Sequence, residues 1–214
     1  MGKILLITRP EHDTGTRYLS RWSERIIDEA KNKGVRIIDL HKEQASRKRF
    51  LGTLTKSNAN LVVLNGHGDE NTVSGHDLQI ILMETDGPIT NGKIIFARAC
   101  RSAKILGPKL VANGTIVYLG YKEDFWFKYN NSDISRPLKD KTAALFLEPS
   151  NYLAISLLKM HSAGEANKKS QGLYRKSIER LLVEGPISED YDNIRILFWN
   201  MINQVCIGRE DATF

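Results

Sequence analysis

Five apolar runs, each too short for a helix, punctuate the first 121 residues: KILLI (3–7), VRIIDL (35–40), LVVLN (61–65), KIIFAR (93–98) and TIVYLGY (115–121). Runs of five to seven residues dominated by branched apolar side chains are the pattern of strands buried on both faces. Amphipathic stretches separate them. Tyr18, Leu19, Trp22, Ile26, Ile27 and Ala30 recur at helical spacing until Gly34, and a basic amphipathic segment around 43–57 carries Phe50, Leu51 and Leu54. Residues 102–113 read as a further helix, ended by Asn113-Gly114. Strand and helix in alternation predict an α/β fold, a parallel-type sheet with helices on both faces. In such a sheet, binding and catalytic residues belong at the carboxyl ends of the strands.

The stretch GHGDENTVSGHDLQIILMETDGPITNG interrupts this rhythm, and its Gly, Asn and Asp clusters predict a hairpin-like excursion. From about residue 143 the pattern turns helical, with 3–4 spacing in ALFLEPSNYLAISLLKM, EANKKSQGLYRKSIERLLVEG and DYDNIRILFWNMINQVC. No repeat, linker or low-complexity tract divides the chain. The expectation is one domain over residues 1–214: an α/β core (1–121), a loop (122–142) and C-terminal helices (143–214).

Hydrophobic residues make up 41% of the 214, enough for a substantial core. The net charge of +6 is concentrated early: residues 1–60 hold 13 Lys/Arg against 7 Asp/Glu, and the rest of the chain balances. These charges interleave along helix-like segments with no nucleic-acid motif, so they read as a solvated helical face and nucleic acid is not an expected partner. The start, MGKILLITRP, holds too short an apolar stretch for a signal peptide or membrane span. Two cysteines, Cys100 and Cys206, suit a reduced, cytoplasmic chain.

Two strand ends carry chemistry. LVVLN runs directly into Gly66-His67-Gly68, and KIIFAR runs into Ala99-Cys100. Parallel and adjacent, those strands would place an imidazole and a thiol on one rim, the two parts of a cysteine-nucleophile mechanism. A helix starting near Ser102, with Arg98 and Arg101, would favour the thiolate. The backbone N–H groups of Gly68 and Cys100 are candidates for holding an oxyanion, Gly68 allowing close approach of the backbone.

These motifs resemble those of the caspase-like cysteine peptidases, a clan that includes caspases, legumain, clostripain, gingipains, separase and the bacterial CHAT proteins. Arg98-Ala99-Cys100-Arg101-Ser102 is similar to the caspase motif Gln-Ala-Cys-Arg-Gly, with Gln and Gly replaced. TIVYLGYKEDFWF resembles the strand and substrate-lining segment that follows the cysteine helix in CHAT proteases, which brings in Tyr121, Glu123 and Asp124. The departures are the polar Asn65-Gly66 before His67 and a His67-to-Cys100 spacing of 33 residues, against roughly 50 in caspases. The resemblance covers about residues 1–130 and implies a caspase-like fold and endopeptidase chemistry. Cys100 would attack and His67 would act as acid and base, with no third member assigned. It also places Arg98 and Arg17 at the S1 pocket, which slightly favours an acidic P1 residue. Asp13, Glu123 and Asp124 would instead serve a basic one. The implied partners are a protein or peptide substrate and an activating protein or a second copy of the chain.

Other readings compete. Asp13-Thr14-Gly15-Thr16 is similar to the hydroxyl-rich phosphate loops of flavodoxin-like proteins, although Glu11 and Asp13 place negative charge there and no Gly-rich fingerprint is present. An inactive scaffold of the caspase fold is the third reading. No Cys/His/carboxylate cluster has metal-ligand spacing, so no metal or other cofactor is expected. His12-Asp13 lies at the catalytic rim, His76 reads as an exposed turn residue, and His41 and His161 read as surface residues. Cys206 reads as core packing in the last helix. Phe125, Trp126 and Phe127 read as packing, with the wall of a substrate cleft as their alternative role.

Overall fold

The computed structural model describes residues 2–188 and 190–214. The five apolar runs form strands β1 (Ile4–Arg9), β2 (Arg36–His41), β3 (Leu61–Asn65), β6 (Ile94–Arg98) and β7 (Val117–Tyr121). A hairpin, β4 (Thr72–Ser74) with β5 (Ile80–Met83), makes the excursion between β3 and β6, antiparallel as its turn residues imply. Helices α1 (Thr14–Trp22), α2 (Glu24–Asn32), α3 (Arg47–Lys56), α4 (Gly87–Thr90) and α5 (Leu106–Ala112) fill the intervals. Then come α6 (Lys141–Leu158), α7 (Ala163–Glu184), α8 (Ile194–Asn203) and a last strand, β8 (Gln204–Gly208).

The six-stranded sheet has the order β2-β1-β3-β6-β7-β8, parallel except for β8. Alternate side chains sort to its two faces. Leu5, Ile7, Val63, Phe96 and Leu119 pack with Tyr18, Trp22 and Ile26 of α1 and α2 and with Leu147, Leu153 and Leu157 of α6. Leu6, Val62, Leu64, Ile95 and Tyr118 pack against Phe50 and Leu54 of α3, Leu106 and Leu110 of α5, and the hairpin's Val73, Ile81 and Leu82. Apolar residues at consecutive positions are therefore consumed by two cores, one per face, as in other doubly covered parallel sheets.

Two expectations are corrected. The segment after Cys100 does not enter a helix at Ser102: residues 100–105 are turns, and α5 begins at Leu106. Arg101 adopts a left-handed backbone (φ 53°), which no α-helix accommodates, and Pro108 falls in the first turn of α5, where its missing N–H costs nothing. At the C terminus, DYDNIRILFWNMINQVC is not helical throughout. Cys206 lies in β8, because Val205 and Ile207 face one core and Cys206 the other, a period of two rather than 3.6. Among the described residues no helix is long and apolar enough to cross a membrane.

Candidate active site

The register of β3 against β6 sets the site. Asn65 pairs with Arg98, and each strand continues two residues further, to His67 and Cys100. The two chains stay close past the last ladder pair. A Cβ on Gly68 would stand 2.9 Å from both the Ala99 Cβ and the Cys100 carbonyl oxygen, so only glycine fits there without a shift. Gly66 is equally confined, since a Cβ there would meet the Ser74 carbonyl. The hairpin ladder brackets Gly68 with Ser74 N–H donating to His67 C=O (2.8 Å) and Asp69 N–H donating to Thr72 C=O (3.1 Å). Gly68 thus occupies a non-hydrogen-bonded ladder position, and the ladder does not use its N–H.

His67 and Cys100 line one cavity of about 80 Å³, walled by Thr16, Leu19, Phe125 and Phe127 and reaching Arg98. A larger hollow of about 910 Å³ lies at the amino ends of β1 and β2, lined by Ile4 and Arg36. It is the wrong end of a parallel sheet for chemistry, and its lining includes no cysteine, histidine or carboxylate.

Sequence assigned no partner to His67; in the structure the side chain beside it is Asp13. Its Oδ2 lies 2.6 Å from His67 Nε2. Its Oδ1 accepts from the Thr16 N–H (2.7 Å) and the Thr16 hydroxyl (3.0 Å), which makes Asp13 the N-cap of α1. Burial raises the Asp13 carboxyl, but the hydrogen bonds from His67 and Thr16 outweigh it and hold the group below the usual carboxylate range. With Asp13 on Nε2, Nδ1 of His67 is the nitrogen left for a reacting group. The Asp13-x-x-Thr16 spacing, directly after a strand, is a capping signal that sequence carries; its partner across the rim is not.

Cys100 is half-buried, with Sγ 3.9 Å from the Phe125 carbonyl. Burial pushes its thiol up, a hydrogen bond from the Phe125 backbone counters this in part, and the Asp124 carboxylate raises it further. This corrects the expectation of a resting thiolate. The helix dipole is displaced to Leu106, and Arg101 lies 3.1 Å from Asp124, an ion pair without hydrogen-bond alignment.

The remaining candidates fall at different distances from the chemistry. Arg98 is fully buried, and its fork donates only to neutral acceptors: Asn65 Oδ1 (3.0 and 2.7 Å), Asn151 Oδ1 (2.8 Å), Ser23 Oγ (2.9 Å) and the Leu19 carbonyl (3.4 Å). Burial pulls the guanidinium down to about 10, still charged at neutral pH. Arg17 lines a separate hollow with Arg21, Glu24 and Arg136, so the structure does not bring the two arginines to one pocket. Tyr121 is fully buried, its hydroxyl bonded to Ser150 and Gln204 rather than facing the cavity. Glu123 offers its carbonyl to the Arg101 N–H and its carboxylate to Lys104 at 3.9 Å. Phe125 and Phe127, not the exposed Trp126, meet the cavity. Asp13 occupies the N terminus of α1 with its own carboxylate, which closes the Asp13–Thr16 loop to a phosphate.

A mostly parallel six-stranded sheet with a reversed outer strand, helices on both faces and its His and Cys at the carboxyl ends of neighbouring strands has the caspase-like α/β fold. The same fold is found in the Arg-specific cysteine proteinase gingipain R (RgpB), with a TM-score of 0.64, 14% identity, and coverage of 100% of this chain and 47% of that one. A complex of Porphyromonas gingivalis RgpB pro- and mature domains matches with a TM-score of 0.61 and 12% identity, covering 99% of this chain and 48% of that one. The chain thus spans about half the length of these neighbours, and at such identities the likeness establishes the fold alone. No protein-family model matches the chain, and no curated protein sequence does.

Proposed function

We propose that this protein is a caspase-like cysteine endopeptidase in which Cys100 is the nucleophile and His67 the acid and base. The observation that carries the reading is the shared cavity: a thiol and an imidazole from adjacent strand ends, with the imidazole held by Asp13. Asp13 accepts the Nε2 proton, so Nδ1 takes the thiol proton as sulfur attacks the scissile carbonyl. The carbonyl oxygen, now negative, is received by the backbone N–H groups of Gly68 and Cys100. His67 returns its proton to the leaving amine, and a thioester remains. Water, deprotonated by His67, then releases the acyl group.

The P1 residue in this reading is short and acidic. At about 80 Å³ the cavity is well below the roughly 300–1,000 Å³ of small-molecule sites, which favours a short side chain over an extended arginine or lysine. Arg98 makes its inner end positive, because no carboxylate neutralises the guanidinium among its hydrogen-bond partners. Of the acids a basic P1 would need, Asp13 and Asp124 are engaged by His67 and Arg101, and Glu123 lies 3.9 Å from Lys104. The substrate is a protein cut in an exposed segment, and a partner protein or a second copy of the chain switches the enzyme on.

The test is a P1-scanning peptide library together with a peptide-based electrophile. Peptides with aspartate at P1 are cut fastest, Cys100→Ala and His67→Ala abolish cleavage, and the electrophile labels Cys100 ahead of Cys206, whose thiol burial raises to about 12. Equal labelling of both thiols, with no peptide cut, identifies an inactive scaffold and defeats the reading. Proteomics comparing the wild-type protein with its Cys100→Ala form would identify the substrate.

A further inference from the structure

His12 is an imidazole without an occupation. Its side chain is only 11% exposed, and neither ring nitrogen has a hydrogen-bond partner. A buried polar side chain left unpaired costs free energy unless a ligand completes it. It sits beside the Asp13–His67 pair, its ring edge-on to His67 with centroids 5.8 Å apart.

We propose that His12, Asp13 and His67 form a zinc site that switches the enzyme off when occupied; the switching half of this statement rests on the peptidase reading above. One ligand atom from each residue lies within 4.8 Å of the others. Asp13 directs a single oxygen to the site, since Thr16 holds Oδ1, and this Oδ2 is 2.6 Å from His67 Nε2 and 3.4 Å from His12 Nε2. Donors around a tetrahedral zinc at about 2.0–2.1 Å stand roughly 3.3 Å from one another. The His12–Asp13 separation already matches, the His67–Asp13 pair opens by roughly 0.7 Å to admit the ion, and the ligand nitrogens of the two imidazoles, within 4.8 Å of each other, close toward the same spacing. Two imidazoles and one carboxylate suit zinc, with a fourth position for water, whereas calcium and magnesium take oxygen donors. His76 packs against the far side of His12 (centroids 5.4 Å apart) and accepts the Glu11 N–H through Nδ1 (3.3 Å). The His76 ring stands edge-on to His12 and leaves His12 Nδ1 without a partner.

The ion acts through a tautomer. A neutral His67 that coordinates through Nε2 carries its proton on Nδ1, so the proton on Nε2 in the metal-free form moves to Nδ1 by exchange with solvent. The nitrogen that would accept the Cys100 proton is then already protonated, and the Asp13 oxygen that positions the ring is held by the metal. No proton is gained or lost at His67 in this exchange. Sequence spacing could not show the site, because its ligands come from the ends of two strands some 55 residues apart.

The test titrates the full chain, as Cys100→Ala so that this thiol cannot ligate, with cobalt and zinc. Binding is read by the visible absorption of tetrahedral cobalt and by calorimetry. The expected result is one ion per chain, with affinity lowered on the order of a hundredfold by His12→Ala and again by His12→Gln, both checked for an unchanged melting profile. In the wild-type chain, zinc suppresses peptide cleavage and a chelator restores it. The proposal is overturned if no stoichiometric ion binds, or if both His12 variants bind it as tightly as their parent. The two readings fail separately. Metal bound through His12 in a protein that cuts no peptide upholds the site and defeats the peptidase, and cleavage without metal binding does the reverse.

Discussion

If the proposed peptidase reading holds, replacing Asp13 by asparagine separates the catalytic part of this carboxylate from its structural part. Asparagine is as good an N-cap as aspartate, so its amide oxygen continues to accept the Thr16 N–H and α1 remains capped. That choice turns the NH₂ group toward His67 Nε2, where a carboxylate oxygen stood 2.6 Å away. An NH₂ group and an Nε2–H cannot face each other, so His67 adopts the other tautomer and carries its proton on Nδ1. The nitrogen needed by Cys100 is then blocked. The equivalent substitution in serine-protease triads costs about 10⁴ in kcat through the same wrong-tautomer effect. Here His67 is 49% and Asp13 39% exposed, so water competes for both groups and softens the penalty. The expected loss is about 10²–10³ in kcat, or roughly 2.7–4 kcal/mol of transition-state stabilisation. KM should stay within a factor of about three. Asp13→Ala should add a stability loss of about 1 kcal/mol, since it also removes the cap. Steady-state kinetics on an aspartyl fluorogenic peptide and thermal melts of both variants make the comparison. If Asp13→Asn keeps wild-type kcat, or loses only KM, Asp13 does not orient His67 and the triad is wrong.

Gly68→Ala should cripple the enzyme without reaching either catalytic side chain. Its Cβ would press on backbone and Ala99 at 2.9 Å, shifting the amide assigned to the oxyanion, with a kcat loss of at least about tenfold and a destabilisation of roughly 1–3 kcal/mol in urea. A fully active, stable Gly68→Ala protein removes that amide from the mechanism. Cys100 carboxamidomethylation should be slow at pH 7 and climb to a midpoint above the ordinary thiol value of about 8.5, because burial and Asp124 disfavour the thiolate. Mass spectrometry across pH reads this directly, and a rate already level at pH 7 contradicts it.

What sequence showed and what it hid divide along physical lines. LVVLN was legible to the residue as β3, because four consecutive apolar residues in so short a run fit a buried strand better than a helix. His67 and Cys100 followed from it, since their partnership needs only the order and direction of two neighbouring strands. β8 was hidden: QVCIG follows α8 without a Gly or Pro break, and only tertiary pairing with β7 selects the extended form. The false helix start at Ser102 has the same origin. Nothing local shows that Arg101 will be left-handed; its N–H is bonded to the Glu123 carbonyl, 22 residues along the chain. Asp13 and His12 were visible as rim residues, but what they face is decided by the closure of β1 on β3.

The two residues either side of Ala99 divide one task between them. Arg98 was expected to reach a substrate side chain directly, paired with Arg17, yet its guanidinium is wholly enclosed and ties Asn65 of β3, Ser23 at the α1–α2 junction and Asn151 of α6 to β6. A cation in that position fixes the end of β6, and hence the place of the sulfur two residues on, while its field extends into the cavity above it. Burial and Asp124 hold the Cys100 thiol above its ordinary value, which disfavours the thiolate before substrate enters. In the peptidase proposed above, an acidic side chain entering the cavity would meet the Arg98 field and bring the scissile carbonyl between sulfur and His67. On that proposal, transfer of the thiol proton to Nδ1 would follow substrate entry, recognition and activation of the nucleophile would be one event, and a poorly matched peptide should fail in kcat as well as in KM.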